Sequence, residues 1–287
     1  MEGTVAVERA RLMELDLATL VAHMSAAIEG AAVYTEPFHH IQLTAVFPPP
    51  VYVAMLEHMP EPKDYRLLSG RGKYALTDGG STRTKFDLFP EFIGHLPRPK
   101  RPVWRIVAQA LCSTDVREAL RRRLAPGLER RFGARYRSIG LYPLPTLMRD
   151  VPGYKIGIHP DTHSKAVTVQ LYLPRDRSLE HVGTVFHKAK GRGRFERVLQ
   201  MPFAPNTGYA FAVGAETYHS VDRLGPEVGT RDSILLFYFL DDSALDRTKN
   251  RVKRFANLMR NEFRHLAILG AKSNSSLFFV SKANLPR

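Results

Sequence analysis

Cysteine occurs once in this chain of 287 residues, at Cys112. A single thiol excludes an internal disulfide framework and any thiolate-rich zinc or iron–sulfur site, and it fits a reducing compartment. Any bound metal must be held by His, Asp and Glu, and 11 histidines leave room for that. Long apolar runs are also missing, so no stretch is expected to span a bilayer. The opening MEGTVAVERARLMELDLATLVAHM lacks the basic start and apolar core of a secretion signal, so a cytoplasmic location is expected. Acidic residues are scarce: 28 Asp and Glu stand against 42 Lys and Arg, a net charge of +14. The surplus implies attraction to anions such as nucleic acid, phosphorylated metabolites, an acidic carrier protein or an anionic membrane surface. An arginine-rich background composition accounts for it equally well. The 44% hydrophobic and 24% charged fractions are those of an ordinary globular protein.

There is no internal repeat or low-complexity segment, and the length suits a single domain read in three zones. Residues 1–137 form a support region. Helical spacing of Leu12, Leu15, Leu17, Leu20, Val21 and Met24 predicts an amphipathic helix over Val5–Glu29. A strand over His40–Phe47 ends at Pro48-Pro49-Pro50, a helix follows over Val51–His58, Gly79-Gly80-Ser81 turns, and Pro102–Arg123 reads as one further helix. Residues 138–242 are strand-rich: Ile139–Leu144, Tyr154–Ile158, Ala166–Leu173, Thr184–His187, Arg197–Met201, Gly208–Val213 and Ser233–Leu240. Short strands without intervening helices predict a sandwich or barrel, and about eight of them suit a double-stranded β-helix. Residues 243–287 are a C-terminal helix and tail. Leu245, Val252, Phe255, Met259, Phe263 and Leu266 share one face of that helix, read as a packing face, with Arg247, Lys249, Arg251, Lys253, Arg254, Arg260 and Arg264 around it. Peripheral contact with a membrane through this basic surface is the alternative. The end, Lys272–Arg287, reads as a loose tail or an added edge segment.

The chemistry concentrates in Tyr154-Lys-Ile-Gly-Ile-His-Pro-Asp161. Side chains two apart on a strand point the same way, so His159 and Asp161 project together from the strand end. An imidazole beside a carboxylate makes two adjacent ligands suited to Fe(II), and His219, heading a later strand, supplies a third. Two His and one carboxylate on one octahedral face leave three positions for a cosubstrate and O2. Twelve residues on, Arg231-x-Ser233 opens the last strand with a guanidinium and a hydroxyl on one face, a fork for a carboxylate. A keto acid chelating the iron at one end needs such a fork at the other.

These segments resemble the Fe(II)/2-oxoglutarate-dependent dioxygenase superfamily, and its prolyl-hydroxylase-like branch above all. The resemblance spans Tyr154 to Phe239 through His159-x-Asp161, Val167-Thr-Val-Gln-Leu-Tyr-Leu-Pro174, Gly183-Thr-Val-Phe186, Pro205-Asn-Thr-Gly208, His219-Ser-Val221 and Arg231-x-Ser233. It implies an α+β chain with a mainly β core, a jelly-roll or cupin-like double-stranded β-helix carrying N-terminal helices and a C-terminal helix. It implies His159, Asp161 and His219 as iron ligands, and Arg231 with Ser233 as the clamp on the C5 carboxylate of 2-oxoglutarate. The cofactors would be Fe(II), 2-oxoglutarate and O2. The expected reaction is hydroxylation of an unactivated C–H with release of succinate and CO2. Desaturation and ring closure use related chemistry; halogenation normally needs the carboxylate ligand missing, and Asp161 is present. No arginine follows Arg231 until Arg247, unlike the nucleic-acid-repair branch.

The substrate suggested by the charge is anionic: a small molecule, a carrier-bound intermediate or a glycolipid. A nucleic-acid or protein hydroxylase or demethylase, and a non-catalytic metal-binding jelly roll, are the alternatives. Tyr142, Gln170 and Tyr172 fall on inner strands. Tyr142 and Gln170 are the better candidates for a hydrogen bond to 2-oxoglutarate, since polar groups inside a barrel need a reason. Arg149 could meet an anionic substrate but reads better as an exposed loop residue. His187 could line the pocket, His163 reads as a bystander, and His39, His40 and His58 read as surface or capping groups. The basic stretches 98–105 and 121–123 have only Trp104 nearby for base stacking, and Trp104 itself reads as core. Cys112 has no basic partner in the pattern and is not expected to be a nucleophile.

Overall fold

The computed structural model describes residues 16–68 and 81–281, with residues 264–281 as backbone. The starts of the Val5–Glu29 helix and the Gly79–Ser81 turn, and the last residues of the tail, lie outside the described residues. The chain divides into two compact units, 1–242 and 243–287.

The first unit is built on two antiparallel sheets. Four strands precede the barrel: β1 (Ala32–Tyr34), β2 (His40–Thr44), β3 (Arg66–Leu67) and β4 (Arg83–Asp87). The barrel strands are β5 (Leu141–Asp150), β6 (Ile156–His159), β7 (Lys165–Tyr172), β8 (Val185–Ala189), β9 (Phe195–Gln200), β10 (Thr207–Ala212), β11 (Tyr218–Val221) and β12 (Arg231–Leu240). The larger sheet runs β1-β2-β10-β7-β12-β5-β4-β3 and the smaller β6-β11-β8-β9. From β5 onward the chain crosses between sheets at every step except the β8–β9 hairpin. That winding is the double-stranded β-helix expected from the sequence.

The support region is richer in strand than its sequence suggests. β1 and β2 extend the larger sheet beyond β10, and β3 and β4 extend it beyond β5. β5 also runs six residues past the expected Leu144, to Asp150. Its prolines, Pro143 and Pro145, lie where the ladder to β4 has ended at Asp87↔Thr146, so β5 has a ladder on one side only there, which is where a strand tolerates proline.

Helices α1 (Leu17–Glu29), α2 (Pro49–Glu57), α3 (Arg101–Leu111), α4 (Thr114–Arg123) and α5 (Ala125–Phe132) belong to this unit. The expected 102–123 helix is two, because Ser113 caps a new start, its hydroxyl accepting from the Val116 N–H. Leu20 and Met24 of α1, Val103, Trp104 and Val107 of α3 and Leu120 of α4 join Val167, Val169, Leu171, Ile234 and Leu236 in one core. These odd- and even-numbered sets are the outward faces of β7 and β12, so the helices cover the outside of the larger sheet. A second core of Phe38, Tyr154, Tyr172, Phe186, Phe203, Tyr209 and Phe211 lies between the sheets.

The second unit holds the helix α6 (Ala244–Ser281), which runs ten residues into the stretch expected to be a tail. Of its apolar stripe, Leu245, Val252, Phe255 and Phe263 are exposed. Among the described residues, no helix is long and apolar enough to cross a membrane.

Candidate metal centre

His159 ends β6 and His219 sits second in β11, and the ladder sets the two directly opposite each other. Their rings lie 4.5 Å apart. Asp161, two residues past His159, continues the strand phase and turns its carboxylate to the same place. One nitrogen from each ring and one Asp161 oxygen fall within 4.8 Å of one another. Among the described residues this is the one such group of three His, Cys, Asp or Glu side chains.

The backbone selects the ligand atoms. Nδ1 of His159 lies 2.8 Å from the Gly157 carbonyl, and Nδ1 of His219 lies 3.0 Å from the Thr217 carbonyl. A carbonyl only accepts, so each Nδ1 carries the proton and each Nε2 presents a lone pair. Burial pushes the His219 imidazole down to about 4, against the pull of Asp161, so the ring is neutral at physiological pH. Burial would raise the Asp161 carboxyl, but Lys165 and His219 outweigh it and hold it below its usual range. Two imidazoles and a carboxylate are the donor set a first-row divalent metal such as Fe(II) requires, so the residues fit the metal.

Two residues of β7 hold Asp161. Thr168 Oγ1 donates to one carboxylate oxygen at 2.6 Å and Lys165 Nζ to the other at 2.5 Å. Normal alternation would put Lys165 on the face opposite Thr168. A bulge intervenes: Tyr238 pairs with Val167, but the next residue, Phe239, pairs with Lys165. The extra residue, Ala166, turns Lys165 inward, where its ammonium lies 3.6 Å from the centre of the Phe237 ring. α5 adds a brace, as the Arg131 guanidinium donates to the carbonyls of His163, Lys165 and Val213, at the strand ends flanking the ligands.

Further along β7, Gln170 and Tyr172 face inward like Thr168, each step being about 6.6 Å. They open onto a buried polar cluster. Gln170 Nε2 donates to Ser233 Oγ at 3.0 Å, and Tyr209 OH donates to Gln170 Oε1 at 2.6 Å. Thr184 Oγ1 bonds Gln170 Oε1, and the hydroxyls of Tyr172 and Tyr209 each lie 3.1 Å from it. Burial raises the Tyr209 phenol well above its ordinary value, so it stays a donor. Arg231 closes the cluster, fully buried, donating to Asp150, to the Val182 carbonyl and to Thr184.

The structure thus brings His159, Asp161 and His219 into one cluster and Gln170, Arg231 and Ser233 into another beside it. Tyr142 stands apart from both. It is on the inner face of β5, but its register partner is Phe239, eight residues from the Arg231↔Asp150 pair, and its ring lies against Phe89. Arg149 is no exposed loop residue: it makes a two-point pair with Asp232. His187 is bonded to Ser220 beside Tyr218, one residue out of phase with the inward Phe186 and His219, and does not line the cluster. His39 and His40 are buried rather than surface groups. Sequence reading missed Thr168, Lys165, Thr184, Tyr209, Asp150 and Arg83. The period-two alternation that marks Gln170 also marks Thr168 and Tyr209.

No protein-family model and no curated protein matches this sequence. Among solved structures, the chain is similar to a prolyl-4-hydroxylase of Pseudomonas putida at 16% identity, covering 75% of this chain and 98% of that one with a TM-score of 0.48. A prolyl hydroxylase of Trichoplax adhaerens, in complex with a hypoxia inducible factor peptide fragment, aligns at 11% identity, 82% and 92% coverage and a TM-score of 0.45. A non-heme alpha ketoglutarate dependent carbocyclase from nogalamycin biosynthesis aligns at 12% identity, 70% and 79% coverage and a TM-score of 0.43. These likenesses are partial, and the functional reading rests on the residues described above.

Proposed function

We propose that this chain is an Fe(II)- and 2-oxoglutarate-dependent oxygenase that hydroxylates an unactivated C–H of an anionic substrate, with release of succinate and CO2. The observation that carries the reading is the convergence of one nitrogen each of His159 and His219 with an Asp161 oxygen, all within 4.8 Å, next to a buried donor cluster ending in Arg231. Bound Fe(II), with 2-oxoglutarate as reductant, supplies the O2 activation that no side chain of the protein can provide. The protein's share is to bind, orient and exclude water. His159, Asp161 and His219 would hold the metal, and three protein ligands would leave it positions for the cosubstrate and O2. Arg231 and Ser233 would offer N–H and O–H donors to the far carboxylate of the cosubstrate, held in place by the Gln170, Thr184 and Tyr209 side chains bonded beside them. Phe38, Phe186 and Phe211 pack ring against ring between the sheets, next to the polar cluster.

An anionic substrate, whether a small molecule, a carrier-bound intermediate or a glycolipid, is favoured by the basic residues of the β8–β9 hairpin, whose strand β8 pairs with the His219 strand. β8 and β9 continue past His219 as a hairpin carrying Lys188, Lys190, Arg192, Arg194 and Arg197. Lys188, Lys190 and Arg197 are paired with Glu36, Glu196 and Asp222.

Succinate formation coupled to conversion of candidate anionic substrates tests the reading. His159→Ala, Asp161→Ala and His219→Ala are each expected to abolish both tight Fe(II) binding and turnover. Full activity in any of the three would falsify it.

A further inference from the structure

Arg83, Asp150 and Arg231 form one row across three neighbouring strands. The ladders set Arg83 of β4 and Arg231 of β12 each directly opposite Asp150 of β5. Asp150 and Arg231 are fully buried and Arg83 nearly so. The central carboxylate is shared unequally. Arg83 takes it at two points, Nε to Oδ1 at 2.6 Å and Nη2 to Oδ2 at 2.8 Å. Arg231 reaches it at one, Nη1 to Oδ2 at 2.9 Å. The Tyr154 ring lies 4.1 Å from the Arg83 guanidinium carbon and fixes its plane.

We propose that Arg83 is a positioning residue for cosubstrate binding: it holds the Asp150 carboxylate in a two-point grip and so leaves Arg231 its charge for the distal carboxylate of 2-oxoglutarate. The inference rests on the 2-oxoglutarate reading above. A lone Arg and Asp buried together close fork to fork into a neutral pair, the strongest geometry open to them. A closed Arg231–Asp150 pair would present a carboxylate dipole, not a cation, to an incoming anion. With Arg83 in the grip, Asp150 has only one shared oxygen left for Arg231. Arg231's remaining donors are spread over neutral partners, the Val182 carbonyl and the Thr184 hydroxyl. In so dry a place, charge left unmatched by the protein is costly until an anion arrives, and that cost becomes attraction for the ligand.

Binding of 2-oxoglutarate to Mn(II)-loaded protein, measured by isothermal titration under argon, tests this without turnover. In Arg83→Gln, Asp150 is free to close on Arg231, and affinity is expected to fall at least about tenfold, with the Mn(II) stoichiometry unchanged. In the double variant R83Q/D150N, a neutral amide replaces the Asp150 carboxylate and cannot quench Arg231. Affinity is then expected to return to within about threefold of wild type. A merely structural Arg83 would show no such rescue. Arg83→Lys keeps a cation on Asp150 and is expected to bind more tightly than R83Q. Unchanged affinity in R83Q, or a double variant no better than R83Q, overturns the inference. If R83Q does not fold, R83K and R83Q/D150N decide: both must bind within about threefold of wild type. Failure of the wild type itself to bind 2-oxoglutarate overturns the reading of the site instead.

Discussion

At the scale of single residues, the candidate centre depends on groups outside the His159, Asp161 and His219 triad. The His159 and His219 imidazoles both commit Nδ1 to a backbone carbonyl, and Asp161 is held at both oxygens. Thr168 contributes one hydroxyl at 2.6 Å, on a strand whose backbone would be unaffected by its loss. Thr168→Val keeps the shape and removes the donor. Metal titration should then show affinity reduced by about tenfold or more with little change in melting temperature, the usual consequence of deleting a partner of a ligand. His40 offers a different measurement. Burial lowers its pKa below the ordinary 6.5, only partly countered by its bond to the Phe38 carbonyl. The unfolded chain therefore takes up a proton near 6.5 that the folded protein refuses. Stability is full above that pH and falls as the pH drops toward the folded value. His39 and His187, also lowered chiefly by burial, act in the same direction. Melting temperatures of metal-free protein should decline between about pH 7 and pH 5, and His40→Phe, among Phe38 and Phe186, should shallow that decline. An identical slope in the variant would remove His40 from the account.

At the scale of elements, His159 and Asp161 were legible as a pair because the period of two is local in sequence and carries one residue pair past the end of β6. His159 with Asp161, Ser233 with Arg231, and Gln170 follow from counting by twos, whereas His219 follows from its place at the head of a later strand. Tyr142 shows where counting stops: its phase was read correctly, but its height along the barrel depends on the β5–β12 register, which pairs it with Phe239. Register is set by contacts between segments far apart in sequence. The same limit hid the Arg83–Asp150–Arg231 row, whose members are 67 and 81 residues apart. The bulge at Ala166 hid Lys165, because one extra residue inverts the alternation that reading depends on. Gly183, by contrast, is a sequence feature whose reason only the fold supplies. A Cβ there would overlap the Met201 carbonyl, in the segment that offers Val182 O and Thr184 Oγ1 to Arg231. Because backbone cannot yield as a flexible side chain does, Gly183→Ala should destabilise the protein by about 3 kcal/mol or more in chemical denaturation. Wild-type stability would mean that the segment adapts more freely than its packing suggests.

At the scale of the whole molecule, the +14 charge is distributed unevenly in consequence. Much of the arginine is internal bracing. Arg121 and Arg123 bond backbone carbonyls of Tyr136, Ile139 and Ala31, Arg131 braces the ligand loops, and Arg149 and Arg231 pair with acids. The arginine stretch 121–123, read from sequence as basic surface, is therefore partly scaffold. The charge available to a partner lies elsewhere, and the β8–β9 hairpin is the portion that reaches past the metal centre. Its tip residues Arg192 and Arg194 are exposed. Exposed charges act through screened solvent, so their effect must fade with salt, whereas the buried charge of Arg231 must not. Raising ionic strength from about 0.05 to about 0.5 M should therefore lower kcat/KM for an anionic substrate severalfold while leaving the affinity for 2-oxoglutarate much less changed. The double variant R192E/R194E should reproduce the loss at low salt and flatten the salt dependence, with metal content intact. A salt dependence as steep in the variant as in the wild type would move substrate attraction away from the hairpin, to other parts of the basic surface.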